Sequence, residues 1–176
     1  VLESNQYRQA FQFDIRNHFI QPRFFAGPDD GGILKIRLKG EHLFQQGDIC
    51  KYVAHVDKGC LRYYTTNAEG VERILYFAVE GWWVGDLQSF YSNEATANSL
   101  QALEPCELMA FNLTTFEQAK RTIPAFREFL EIKWRRAYTG NQERTFQAMT
   151  NTPEERYEKF ITKYPSALER IPLYHI

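Results

Sequence analysis

From Ile33 to Leu113 short strand-like runs alternate with turns built on Gly, Asp and Asn, and this spacing constrains the fold more than any other feature. Ile33-Leu34-Lys35-Ile36-Arg37-Leu38 alternates well, and Lys39-Gly40-Glu41 turns it. His42-Leu43-Phe44 extends, and Gln46-Gly47-Asp48 turns again. Tyr52 to Val56, Cys60 to Thr65 and Glu72 to Phe77 are further strands, the last two flanking the hairpin signal Asn67-Ala68-Glu69-Gly70. Ser99 to Leu103 and Glu107 to Asn112 complete the series. Short strands at regular spacing with this turn chemistry predict a β-sandwich, jelly roll or barrel over residues 31–113.

The flanks have a different period. Ser4 can cap a helix on which Tyr7, Phe11, Ile15 and Phe19 recur at helical spacing, and Pro22 and Gly27 to Gly32 mark a loop. Residues 1–30 therefore read as an N-terminal helix and loop. Thr114 or Thr115, with Glu117 or Gln118 three residues on, has the form of a capping box. A short helix over Phe116 to Lys120 should break near Thr122-Ile123-Pro124, and a long one should follow from Ala125, loosened at Gly140-Asn141. Phe126, Phe129, Leu130, Trp134 and Tyr138 form its apolar stripe. A helix of roughly 20 residues spans about 30 Å, longer than a small barrel needs for cover, so this stripe is read as the seam of a homodimer. Residues 114–150 are thus a short helix and a dimerisation helix. Thr152-Pro153-Glu154-Glu155 restarts a helix that ends by Pro165.

Composition and motifs remove several function classes. The 176 residues carry 21 basic and 22 acidic side chains, a net charge of −1, which argues against a general nucleic-acid coat. Cys50, Cys60 and Cys106 are an odd number without a C-x-x-C pair, as suits reduced residues in a cytoplasmic protein. No secretory signal and no apolar run of membrane length is present. His18, His42, His55 and His175 are scattered, so no metal site is expected. No G-x-S-x-G frame surrounds Ser89, Ser92 or Ser99, and an enzyme is not expected.

The stretch from Glu80 to Ala102 is the candidate site. Gly85 can take a left-handed conformation or bring backbone close to a ligand, and Asp86 can accept hydrogen bonds from hydroxyls. The N–H groups that follow could cradle an anion. An ordinary turn in a β-sheet is the alternative. Trp82, Trp83, Phe90 and Tyr91 are either pocket aromatics or core.

In this order the segments resemble the Crp/Fnr family of bacterial transcriptional regulators. Gly40-Glu41-x-Leu43-Phe44-Gln45-Gln46-Gly47-Asp48 is similar to the family's first barrel turn, and Val56-x-Lys58-Gly59-x-Leu61-Arg62 to its second glycine strand. Glu69-Gly70-x-Glu72-Arg73-Ile74-Leu75 resembles the hairpin that follows. Glu80-Gly81-x-x-x-Gly85-Asp86-Leu87 resembles the opening of the phosphate-binding cassette. The resemblance runs from Gly31 to Tyr164 and implies a mainly β fold with helices. That fold is a cyclic-nucleotide-binding-like jelly roll (a double-stranded β-helix) between an N-terminal helix and a long C-terminal dimerisation helix. It also implies that residues 151–176 begin a winged helix-turn-helix DNA-binding domain, truncated after Ile171-Pro172-Leu173-Tyr174-His175-Ile176. The partners implied are a second copy of the chain, DNA through that C-terminal domain, and a small-molecule effector, with no membrane.

The cassette departs from the family pattern. Members that bind cyclic nucleotides hold the ribose hydroxyl with Gly and Glu, and clamp the phosphate with Arg and an adjacent Ser or Thr. Here Gly85 is kept, Asp86 replaces the longer acid, and Glu94-Ala95-Thr96-Ala97-Asn98 occupies the clamp with no Arg between Arg73 and Arg121. Loss of such a charged contact costs about 2–5 kcal/mol, and Thr96 supplies no charge. The expected ligand set is therefore a degenerate cassette of Gly85, Asp86, Leu87, Thr96 and Ala97, with no cofactor and no cyclic nucleotide bound in the usual way. The function implied is effector sensing and dimerisation within such a regulator. The alternatives are a degenerate β-barrel serving only as a dimerisation scaffold, and a cupin-like enzyme.

Overall fold

The computed structural model describes residues 31–36, 39–163 and 167–172. The helix and loop expected over residues 1–30 lie outside the described residues. Eight strands follow one another as β1 (Gly31–Ile36), β2 (His42–Phe44), β3 (Val53–Lys58), β4 (Leu61–Thr66), β5 (Glu72–Ala78), β6 (Trp83–Val84), β7 (Asn98–Ala102) and β8 (Cys106–Phe111). They form two four-stranded antiparallel sheets, ordered β1-β8-β3-β6 and β2-β7-β4-β5. Every strand anticipated between Ile33 and Asn112 is present, displaced by a residue or two, and the all-antiparallel two-sheet architecture is the jelly roll expected.

The chain divides into two compact units, Val1–Ile123 and Pro124–Ile176. In the first, the register places Leu61 and Tyr63 of β4 on the same face as Ala102 and Leu100 of β7 and Ala78 and Tyr76 of β5. Leu61, Leu100, Ala78 and Ala102 are fully buried there. The opposite face of β4 carries Arg62 and Tyr64, yet both are buried too. Arg62 is held by Glu72, by Gln101 Oε1 at 2.6 Å and by the Tyr64 ring, whose centroid lies 4.1 Å away. A buried guanidinium is tolerable because each of its three nitrogens donates a hydrogen bond and its face lies on a ring.

At the β3–β4 turn Gly59 adopts φ +111°, and a Cβ there would lie 2.4 Å from Cys106 Sγ and 2.9 Å from Cys106 Cα. Only glycine fits this crossing of the two sheets.

Trp83 and Val84 form the short strand β6, and the segment after Asp86 forms a helix, α1 (Leu87–Ser92), of only six residues. Neither is long enough to show a period of 2 or 3.6.

Helix α2 (Leu113–Thr122) starts earlier than the capping-box reading places it. Asn112, at the end of β8, is the N-cap, its side chain accepting the Thr115 N–H at 2.8 Å. Asn is among the best capping residues, and a strand-end Asn serves both elements. This helix belongs to the same unit as the strands.

In the second unit, α3 (Pro124–Thr150) runs unbroken for 27 residues, so Gly140-Asn141 does not interrupt it. A mid-helix Gly costs only about 1 kcal/mol, and i,i+4 links such as Gln147 Nε2 to Glu143 Oε1 at 3.0 Å lie beside it. Helix α4 (Pro153–Lys163) begins with a reciprocal cap, Glu155 N–H to Thr152 Oγ1 at 3.2 Å and Thr152 N–H to Glu155 Oε2 at 2.9 Å. A short helix α5 (Ala167–Arg170) follows. No described helix is long and apolar enough to cross a membrane.

Candidate functional site

The stretch from β6 through α1 to β7 is a folded unit rather than an open turn. Gly85 sits at φ +145°, and a Cβ on it would lie 3.1 Å from Val53 Cγ1 and 3.2 Å from the Tyr52 carbonyl oxygen. The left-handed conformation expected of this residue is present. What crowds it is the Val53 side chain and the backbone of Tyr52 and Val53 at the start of β3.

Asp86 is the N-cap of α1, 9% exposed, and its Oδ1 accepts the Ser89 N–H at 3.2 Å. The anion facing the helix N–H groups is therefore this residue's own carboxylate. Its Oδ2 accepts from three side chains: the Thr96 hydroxyl, Tyr63 Oη at 3.3 Å and Asn98 Nδ2 at 3.3 Å. Burial pulls the Asp86 carboxyl upward. The hydrogen bonds from Thr96, the Ser89 backbone, Asn98 and Tyr63 outweigh it and hold the carboxyl below its ordinary value. Burial, and then the negative charge of Asp86, push the Tyr63 phenol well above its ordinary value, so Tyr63 stays a donor.

Thr96 lies on no regular element, but it is buried and fixed at three points. Its N–H donates to the Asp48 carbonyl at 2.8 Å, its carbonyl accepts the Gly47 N–H at 2.9 Å, and its hydroxyl reaches Asp86. Ser89 is tied similarly: its hydroxyl accepts the Cys50 N–H at 2.9 Å and donates to the Glu94 carbonyl. Cys50 closes the circuit, its sulfur accepting the Asp86 N–H at 3.3 Å and donating to the Tyr52 carbonyl at 3.3 Å. Burial pushes the Cys50 thiol up.

Of the expected cassette residues, Gly85, Asp86 and Thr96 come together, whereas the side chains of Leu87 and Ala97 are exposed. The Ala97 carbonyl accepts the Thr65 hydroxyl at 3.1 Å. Tyr63, Ser89, Asn98 and Cys50 complete the cluster, and none of them is among the expected cassette residues. No local signal marks Tyr63 or Cys50, because 23 residues separate Tyr63 from Asp86 and 36 separate Cys50 from it, whereas Ser89 stands at capping distance, three residues on.

The four aromatics expected of a pocket divide between two clusters. Trp82 stacks on Tyr76 at 6.1 Å, and Tyr76 stacks on Tyr63 at 4.7 Å. Trp83 instead packs with His55, Phe111 and Phe116, and Phe90 meets Phe116 edge-on at 6.0 Å. Tyr91 points outward, its hydroxyl donating to Glu117 Oε1 at 3.0 Å. Trp82 lies just before β6 and Trp83 opens it, and successive residues of extended backbone turn to opposite sides.

No Lys, Arg or His lies between Arg73 and Lys120, so neither α1 nor the segment from Asn93 to Asn98 contributes a cation. Among the described residues, no group of three His, Cys, Asp or Glu is placed to hold a metal ion.

On the long helix, Phe126, Phe129 and Leu130 are already buried in a single copy of the chain. Trp134 is 37% and Tyr138 65% exposed, and the stripe continues with Phe146 and with Met149 at 81%.

A family model described as "Cyclic nucleotide-binding domain" matches residues 37–122. Electron transport regulator A of Shewanella oneidensis is 27% identical over 125 residues, 70% of this chain and 49% of that protein. The chain thus spans about half the length of the curated relative it matches. Among solved structures, the catabolite activator protein of Thermus thermophilus aligns with a TM-score of 0.54 at 22% identity, over 67% of this chain and 55% of its own. CprK complexed with OCPA aligns with a TM-score of 0.60 at 17% identity, over 78% of this chain and 62% of its own. These likenesses are of fold, and the family match is to a binding domain. Residues 37–122 thus match the cyclic nucleotide-binding domain family, and the two sheets have the fold of these solved structures.

Proposed function

We propose that this chain is the effector-sensing and dimerisation region of a Crp/Fnr-like DNA-binding transcriptional regulator, acting in the cytoplasm as a homodimer. The observation that carries the reading is the sequence of parts: a cyclic nucleotide-binding domain with its Gly85-Asp86 cassette, followed directly by a 27-residue helix bearing exposed Trp134, Tyr138, Phe146 and Met149. A solvent-exposed apolar stripe on so long a helix is stabilised by a matching stripe. DNA contact belongs, in this reading, to the winged helix-turn-helix that α4 and α5 begin.

Cyclic AMP held in the usual way does not suit this cassette. A cyclic phosphate entering it would meet Asp86 and Glu94 and no cation between Arg73 and Lys120. An effector that fits is uncharged or weakly polar and uses the Trp82–Tyr76–Tyr63 stack rather than a phosphate clamp. The saturation of the Asp86 carboxylate favours one second reading, a barrel that serves only as a dimerisation scaffold. Titration calorimetry with cyclic nucleotides and a panel of small aromatic metabolites separates the two. Heat from an aromatic compound supports sensing, and silence from the whole panel supports the scaffold. A nucleotide bound at micromolar affinity would overturn the altered-cassette reading.

A further inference from the structure

We infer that the cassette is held closed by the chain itself, with Thr96 acting as the strut that a bound ligand would otherwise provide. The inference rests on reading residues 85–98 as the cassette. Four groups donate to the Asp86 carboxylate: the Ser89 N–H, the Thr96 hydroxyl, Tyr63 Oη and Asn98 Nδ2. All belong to this chain, and they come from α1, from the segment after it, from β7 and from β4. They tie the start of α1 to both the end of the cassette and the opposite wall of the sheet.

The closure has a second layer. The Thr96 backbone is fixed to the Gly47-Asp48 turn by two hydrogen bonds, and Ile49 and Ala95 form a β-bridge beside it. Ser89, buried in the middle of α1, joins Cys50 to Glu94 through its hydroxyl. Asn93 ends α1 in the left-handed conformation at φ 57°, with its N–H on the Ser89 carbonyl at 2.8 Å. The polar groups that α1 turns inward are thus satisfied internally. A ligand hydroxyl seeking Asp86 has to displace the Thr96 hydroxyl, or share an oxygen that already accepts three hydrogen bonds.

Thr96 is therefore a positioning residue, and closure of residues 86–98 does not await a ligand. A hydroxyl at position 96 is what the device requires. The local opening of such a segment is measurable as amide exchange.

Hydrogen exchange on the 176-residue chain tests this, comparing wild type with Thr96→Val and Thr96→Ser. The expected result is amide exchange roughly five- to tenfold faster in Thr96→Val, confined to residues 86–98, with Thr96→Ser close to wild type. Cyclic AMP at millimolar concentration should leave wild-type exchange in this segment unchanged. Unaltered exchange in Thr96→Val overturns the inference, as does acceleration spread equally through β4 and β8, or added protection of the cassette by the nucleotide. Should Thr96→Val fail to fold, Asn98→Ala removes another Asp86 donor and is held to the same outcomes. Sedimentation of the same samples reports the proposed dimer separately, so failure of that reading is distinguishable from failure of this one.

Discussion

The Thr96 hydroxyl donates to Asp86 Oδ2, joining two residues ten positions apart across the whole of α1. The family pattern sets these two positions on opposite ends of a nucleotide, one at the ribose and one at the phosphate. Here they meet each other. Asp86 is one methylene shorter than the acid it replaces, and no arginine stands between it and Thr96.

Asp86 should carry an acid-sensitive part of the stability. Its folded-state carboxyl lies below the ordinary value of 3.8. The stability it contributes is therefore complete above that value and is lost as pH falls through it toward the lower folded-state pKa. In Asp86→Asn this loss is absent, and at neutral pH the variant is destabilised by about 1–3 kcal/mol because donors now face an amide N–H₂. Urea midpoints followed by circular dichroism at several pH values check both effects. An identical acid limb in the two proteins would contradict the assignment.

Gly85→Ala should destabilise the barrel by about 1–3 kcal/mol. The new methyl group adds a contact at 3.1 Å to Val53 Cγ1 on top of an unfavourable φ of +145°. Val53→Ala removes the side-chain contact but leaves the 3.2 Å approach to the Tyr52 carbonyl, so it should rescue only part of the loss. Thermal melts of the single and double variants measure the split.

The three cysteines should be silent in the native state. Cys50, Cys60 and Cys106 are all buried, and burial raises the Cys50 thiol pKa, which keeps it from the reactive thiolate form. Titration with a chromogenic disulfide at neutral pH is expected to find no fast-reacting thiol in folded protein and three after unfolding in denaturant. One thiol reacting fast in native protein would show an opening that the structure does not contain.

Dimerisation should depend on the outer half of the α3 stripe rather than on its first two turns. Phe126, Phe129 and Leu130 are already buried in one copy, whereas Tyr138 and Met149 are largely exposed. Tyr138→Glu combined with Met149→Glu is expected to weaken self-association at least tenfold in sedimentation, a change of about 1.4 kcal/mol. The melting temperature of the strand unit should not change. A wild-type chain that sediments as a monomer at micromolar concentration would remove the dimer from the proposal.

Much of this molecule is local and so could be read without its structure. Strand alternation, the Asn67–Gly70 turn, the Pro124 boundary and the cap at Thr152 all depend on neighbours within a few residues, where steric and hydrogen-bonding preferences act directly. The same holds for the cassette frame at Gly85-Asp86 and for the missing arginine. The partners of that frame are of another kind. Tyr63, Cys50 and Asn98 reach Asp86 from three separate segments, and the division of Trp82 from Trp83 depends on which face of a sheet each strand presents. Such meetings follow from sheet order and register, which sum many weak long-range contacts and leave no local pattern. That the clamp holds no cation is legible in residues 94–98 alone. That Thr96 turns inward to Asp86 follows from the fold, which buries that carboxylate to 9% exposure and brings donors of its own chain around it.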